Sequence, residues 1–309
     1  MRPPPPIDLT PFRRLYPFAS RYAEVNGQRM HYVDEGRGEP IVMVHGNPTW
    51  SFYFRNLIRG LSHDHRTIAP DHIGCGLSSR PGPGEYGFRL RNRVDDLEAL
   101  LHQLGIDRRI TLVLHDWGGI IGMTLAVRHP ERIARLVLLN TAAFPKPGGK
   151  PLPLALRLVR RVPLLAVPAV LGLNLFARGA AWTASAKGLD SEVRRGLLAP
   201  YNSWRNRLAT LRFVQDIPLS PRDPGYGLVA QTGRQLGRFA ATPVLICWGE
   251  RDFVFDRDYL DEWRRRLPRA EVHRFPDAGH YVLEDVPEAV LARLAAFLKR
   301  HPGDIENLR

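Results

Sequence analysis

Three side chains in this sequence have the types and the order for covalent catalysis: Asp116, Asp252 and His280. Each follows a strand-like run, "ITLVLH", "VLICWGER" and "VHRFPDAG" in turn. A carboxylate is a nucleophile suited to saturated carbon, where its attack leaves an alkyl-enzyme ester. A histidine oriented by a second carboxylate can then activate water against that ester. Each residue also has a plainer reading. Asp116 could cap a helix, Asp252 could form a loop salt bridge, and His280 could be a satisfied loop histidine. All three fall in strand-end positions, in the order nucleophile, acid, histidine, and that favours the catalytic reading.

Asp116 sits in "LVLHDWGGIIG", Leu112 to Gly122, which reads as a strand turning sharply into a helix. Such a turn needs small neighbours. Gly118 and Gly119 supply them on the helix side, but Leu114 stands where the serine-type motif carries glycine. A second cluster, "HGNPTWSFYFR" from His45 to Arg55, follows the strand-like "PIVMV". Asn47 and the indole of Trp117 each carry a side-chain N–H, and two donors aimed at one point can hold a departing anion. Their plainer readings are a turn residue before Pro48 and a packed aromatic ring.

The elements that must position these residues alternate along the chain. Strand-like runs fall at 29–36, 40–46, 66–74, 110–116, 134–142, 242–249 and 270–277. Near-continuous apolar runs of this length suit strands buried on both faces, as in a parallel sheet. Helical patterns lie between them at 91–105, 118–130, 259–268 and 287–300. The alternation predicts an α/β fold, with a mostly parallel central sheet and helices on both faces. The rhythm breaks at Phe144 with "FPKPGGKPLPL" and resumes near 242. We therefore expect a main domain of residues 1–143 and 226–309, interrupted at 144–225 by a helical cap. The cap should cover the C-terminal strand ends, where open α/β sheets place ligands.

Composition narrows the setting. The chain has 309 residues, 44% of them hydrophobic, which is enough for a sizeable core. Two cysteines, Cys75 and Cys247, lie far apart with no C-x-x-C motif, so a reducing, cytoplasmic environment is expected. The opening "MRPPPPIDLTPFRRLYPF" lacks the apolar segment of a signal peptide. The net charge is +13, and Phe144 to Gly225 holds 13 Lys and Arg against four Asp and Glu. That surplus reads as a solvated surface, a docking face for an acidic partner, or a peripheral contact with anionic membrane. Nucleic acid is not an expected partner, because no binding motif accompanies the charge. No His, Cys, Asp and Glu cluster has ligand spacing, so neither metal nor cofactor is expected.

The motifs "HGNPTWS", "DHIGCGLS", "HDWGG" and "AGHYVLED" resemble the haloalkane dehalogenases of the α/β-hydrolase superfamily, over nearly the whole chain after residue 20. The resemblance implies Asp116 as nucleophile, His280 as base and Asp252 as acid, with Asn47 and Trp117 as anion-binding donors and the cap inserted after the sixth strand. Epoxide hydrolases share "HDWGG" but usually carry an aromatic residue at the position of Asn47. They also use two cap tyrosines, for which Tyr201 is one candidate.

"LNTAAFP" (139–145) and "APYNSWRNRLATLRFVQDIPLSP" (199–221) resemble the β-lactone decarboxylases of bacterial long-chain olefin biosynthesis. That likeness implies conversion of a hydrophobic cis-3,4-dialkyl-oxetan-2-one to a cis-alkene and CO2, in a complex with other olefin-biosynthesis enzymes. The plainer reading of the cap motif is a packing feature shared within one dehalogenase subfamily. The apolar stretch Val162 to Phe176 could line a tunnel for alkyl chains or form ordinary cap core. Decarboxylation is the leading expectation and dehalogenation the alternative. Epoxide hydrolysis and a non-catalytic docking role stand third.

Overall fold

In the computed structural model, residues 7–149 and 152–302 are described. Residues 1–6 and 303–309, at the ends of the expected main domain, lie outside that range. So do Lys150 and Pro151 in the Pro-Gly break, and with residues 1–6 goes part of the segment read for a leader.

Eight strands form one sheet in the order β1-β2-β4-β3-β5-β6-β7-β8. They are β1 (Arg21–Val25), β2 (Gln28–Glu35), β3 (Pro40–Val44), β4 (Arg66–Pro70), β5 (Ile110–Asp116), β6 (Ile133–Thr141), β7 (Val244–Gly249) and β8 (Glu271–Phe275). β2 pairs antiparallel with β1 and β4, and the pairs from β4 through β8 are parallel. Sequence pattern did not reveal β1, because its residues "RYAEV" sit at the sheet edge and only Val25 is buried. The run 66–74 is a strand only as far as Pro70. Beyond it the Asp71 carboxylate accepts backbone N–H groups from Ser51 (2.7 Å) and Leu77 (2.8 Å), which draws the chain into a loop.

The main-domain helices are α1 (Arg55–Leu61), α2 (Leu90–Gln103) and α3 (Trp117–Arg128). After β6 come α4 (Leu154–Arg161), α5 (Pro163–Ala166), α6 (Leu175–Thr183), α7 (Ser191–Leu198) and α8 (Leu208–Gln215). The chain returns to the sheet through α9 (Tyr226–Gln235), and α10 (Arg257–Arg266), α11 (Val282–Asp285) and α12 (Pro287–Arg300) complete the order. Alternating side chains of the central strands feed two cores. Leu112, Leu114, Leu136, Leu138, Ile246 and Trp248 join one, and Val113, Val137, Leu139, Leu245 and Cys247 join the other. This is the period-two reading of a strand buried on both faces. Among the described residues no single helix is long and apolar enough to cross a membrane.

The turn from β5 into α3 is the tightest point of the fold. Asp116 adopts φ 51° and ψ −124°, a strained conformation for a residue with a side chain. Such a conformation costs about 1–3 kcal/mol and persists only when its surroundings enforce it. The Thr141 hydroxyl at the end of β6 donates to the Asp116 carbonyl oxygen. A Cβ on Gly118 would lie 1.9 Å from the Val44 carbonyl oxygen, and one on Gly119 would lie 1.8 Å from Thr141 Oγ1. Leu114 is tolerated because Gly122 faces it across the helix, where a Cβ would lie 2.3 Å from Leu114 Cδ2. The departure from the serine-type motif is thus absorbed by a glycine one turn into α3.

Gly118→Ala should therefore destabilise the chain by more than about 3 kcal/mol. A urea unfolding midpoint close to that of the wild-type chain would show that the elbow has room to relax.

Candidate active site

The elbow lifts Asp116 out of the sheet at the C-terminal edge of β5. Its Oδ1 accepts the backbone N–H of Asn47 at 2.8 Å. The backbone N–H of Trp117 also favours the ionised carboxylate. Gly46 is needed for this approach, since a Cβ there would lie 2.1 Å from Asp116 Oδ1. The side chain makes no helix-capping bond, so the N-cap reading of Asp116 does not describe it. Oδ2 lies 3.6 Å from His280 Nε2. Burial pushes the Asp116 pKa up, and the partial compensation from His280 and the two N–H groups leaves it above the ordinary aspartate value.

His280 stands in the loop after β8. Its Nδ1 donates to Asp252 Oδ2 at 2.8 Å, which leaves Nε2 facing Asp116. Burial would lower its pKa, but the carboxylates of Asp252 and Asp116 outweigh burial and raise it. Beneath it, His115 Nε2 donates to the His280 carbonyl oxygen at 2.9 Å, with the two rings 4.7 Å apart. Burial holds His115 well below the usual imidazole range, so it serves as a neutral strut. Asp252, after β7, is fixed through its other oxygen by the backbone N–H groups of Val254 (2.7 Å) and Phe255 (3.1 Å). The structure therefore brings Asp116, His280 and Asp252 into one contiguous relay.

Asn47 and Trp117 take places that spacing alone did not define. One N–H of the Asn47 side-chain amide is spent on the Thr210 carbonyl oxygen of α8, at 3.1 Å. Its second N–H remains for a ligand, while its Oδ1 is buried without a partner among the described residues. The Trp117 ring lines the cavity above Asp116 and meets Phe213 edge-on at 5.2 Å. No described residue accepts from its indole N–H. Tyr201 does not reach the cavity. Its hydroxyl donates to the Thr49 carbonyl oxygen at 3.2 Å, so it is not placed to activate an epoxide oxygen.

Sequence pattern also overlooked Asn140, the penultimate residue of β6. Its amide nitrogen donates to Asp252 Oδ2 (3.0 Å) and to the Gly249 carbonyl oxygen (2.9 Å), and its Oδ1 accepts from Gly249 N–H (2.8 Å). It sits at φ 38°, a conformation that asparagine tolerates better than most residues. A polar side chain at the end of an apolar strand was the signal that singled out Asp116 and Asp252, and the same signal marks Asn140.

A cavity of about 630 Å³ opens over Asp116. Asn47, Trp117, Phe255, His280 and Tyr281 form its floor, and cap residues such as Leu156, Val159, Ala169 and Phe176 form its walls. The stretch Val162 to Phe176 is divided between the cavity wall and the cap's interior. Leu165, Ala169 and Phe176 line the cavity, whereas Leu171 packs with Leu211 in a small cap core. The 199–221 motif mostly fastens the cap. Arg207 donates to the carbonyl oxygens of Tyr201 (2.8 Å) and Leu171 (2.7 Å), and Arg205 donates to that of Arg80 (2.7 Å).

Residues 39–287 match the alpha/beta hydrolase fold family. The chain belongs to that family. This α/β-hydrolase is 52% identical to the cis-3-alkyl-4-alkyloxetan-2-one decarboxylase of Shewanella oneidensis, over 92% of this chain and 89% of the relative. It is 45% identical to the protein of the same name from Xanthomonas campestris, over 93% and 98% of the two chains. Among solved structures, a haloalkane dehalogenase of Agrobacterium tumefaciens C58 superposes with a TM-score of 0.82 at 26% identity, covering 91% of this chain and 96% of that one. Sequence likeness over nearly the full length thus groups it with the decarboxylases, on a scaffold shared with the dehalogenases.

Asn140→Asp would set a second carboxylate against Asp252 and favour the imidazolium of His280. The His280 ring titration, followed by NMR, should move to higher pH. An unchanged titration would show that Asn140 does not act through the Asp252–His280 pair.

Proposed function

We propose that this protein is a β-lactone decarboxylase, converting cis-3,4-dialkyl-oxetan-2-ones to cis-alkenes and CO2. One observation carries the mechanism. The backbone N–H groups of Asn47 and Trp117, which a serine enzyme of this fold turns toward the substrate's oxyanion, serve the nucleophile's own carboxylate here: the first donates to it at 2.8 Å and the second favours its ionised form. Attack on a carbonyl would lack that stabilisation. Attack on saturated carbon does not need it.

Asp116 Oδ2 attacks the ring carbon that bears oxygen, with inversion, and the carbon–oxygen bond of the ring breaks. The freed oxygen becomes part of a substrate carboxylate, received by the Trp117 indole N–H and the second N–H of Asn47. The carbon–carbon bond to that carboxylate then supplies the electron pair of the alkene, and the ester oxygen leaves as the Asp116 carboxylate. Inversion followed by anti elimination turns a cis lactone into a cis alkene. No water enters the balance, so the apolar cavity walls favour the reaction by excluding it. The imidazolium of His280, favoured by its two carboxylate neighbours, offsets the negative charge at the site.

The identity of 52% and 45% to the two named decarboxylases supports this substrate class, and the cavity's apolar walls suit alkyl chains. Haloalkane hydrolysis is the second reading. The same two N–H groups would stabilise the tetrahedral intermediate formed when water attacks an Asp116 ester. A cytoplasmic setting, with other olefin-biosynthesis enzymes as partners, belongs to the proposal. The two free thiols, Cys75 and Cys247, support its reducing part.

Asp116→Asn should lower alkene formation from a cis-dialkyl β-lactone by about 10⁴-fold or more. Because burial raises the pKa of Asp116, its ionised form costs folding free energy that is absent below the unfolded pKa and fully present above the folded one. The variant should therefore melt no lower than the wild-type chain at neutral pH. A marked loss of stability would show that the carboxylate also has a structural role.

Turnover in H₂¹⁸O separates the two readings. Decarboxylation leaves the Asp116 carboxylate unlabelled after many cycles, as read by mass spectrometry of its peptide. Label in Asp116, together with β-hydroxy acid as product, would replace the decarboxylase reading with ester hydrolysis.

A further inference from the structure

The cap carries an exposed apolar surface that the catalytic reading does not use. Ten large hydrophobic residues are exposed among the described residues, and seven of them fall between Leu154 and Trp182. Leu164 is 85% exposed, Leu173 63% and Trp182 64%. Concentration of this kind on one segment marks an interaction surface. It is also the mouth of the cavity, since the exposed Leu158, Leu165 and Leu175 are cavity-lining residues as well.

The segment that carries this surface bears charge of one sign. From Phe144 to Leu189 the sequence has seven Lys and Arg and no Asp or Glu. Arg157 and Arg161 lie on α4 beside Leu154 and Leu158, and Arg178 lies on α6; all three are exposed and form no ion pair among the described residues. Arg194 stacks on the exposed Trp182 ring at 3.6 Å. The two apolar segments Pro163–Gly172 and Leu175–Thr183 meet at 72°, so they form a bent surface and not a straight span. Aliphatic and tryptophan side chains interspersed with arginines outside ion pairs are the composition of a segment lying in a lipid interface.

We propose that the cap docks on an anionic bilayer, with Leu164, Leu173 and Trp182 in the interface and Arg157, Arg161 and Arg178 at the headgroups. The cavity mouth then faces the acyl region, where a dialkyl substrate would partition. Only that last consequence rests on the lactone reading. Docking rests on the surface itself, and its test needs no substrate.

The full chain should float with phosphatidylcholine vesicles that contain phosphatidylglycerol. It should float weakly with phosphatidylcholine alone, and high salt should release it. Leu164→Asp combined with Leu173→Asp should lower the bound fraction at least tenfold, while melting stays unchanged because neither residue is buried. Arg157→Ala and Arg161→Ala should each weaken binding about fivefold. Failure to float with anionic vesicles at low salt would overturn the proposal, as would flotation that survives the double aspartate variant. A wild-type dimer that the double variant converts to monomer in gel filtration would assign the patch to a second copy of this chain, and would overturn it equally.

Discussion

The contact on which the site depends is the backbone of Asn47 and Trp117 closing on the carboxylate of Asp116. It requires a strained residue at the end of β5, a glycine at 46 on whose backbone the carboxylate rests, and glycines at 118 and 119 where α3 passes β3 and β6. No one of these is stable for local reasons. The elbow holds because the parallel sheet fixes β3, β5 and β6 in register, and their ends deliver Gly46, Asp116 and Thr141 to one place.

The electrostatics follow from that placement. A buried carboxylate is costly to ionise, and here the cost is offset only in part, by two backbone dipoles and a histidine whose own charge is supported by Asp252. Asn140 and the N–H groups of Val254 and Phe255 hold Asp252, and His115 holds the backbone under His280. The triad is the visible part of a longer run of buried polar groups. The same network ties the cap to the site. Asp285 accepts from Gly279 N–H beside His280 (2.7 Å) and from the N–H groups of Ala186 (2.9 Å) and Lys187 (3.1 Å) at the end of the cap's apolar segment.

The cap divides its residues between two tasks. Its later part, around 199–221, fastens to the main domain through Arg205, the Tyr201 hydroxyl and the Thr210 carbonyl oxygen. Its earlier part, from α4 to α6, walls the cavity and presents apolar side chains outward. The motif that most resembled a particular enzyme family is largely the fastening. Residues that hold a cap in one position also fix the shape of the space beneath it, so packing and specificity are not separable there.

The sequence by itself determined the alternation of strands and helices, the elbow, and the order Asp116, Asp252, His280. Those features are written in apolar runs and in the polar residues that end them, which are local patterns. It also set the apolar and basic character of the cap. Only the tertiary structure decided how hydrogen-bonding groups are spent: one Asn47 N–H on Thr210, the Tyr201 hydroxyl on Thr49, Asn140 on Asp252. The partners in those bonds are 163, 152 and 112 residues apart in sequence. No local spacing records such distances, because a hydrogen bond is fixed by where the packed elements place its donor and acceptor. The cavity and the outward apolar face of the cap were decided in the same way, by which side of each helix the rest of the fold left uncovered.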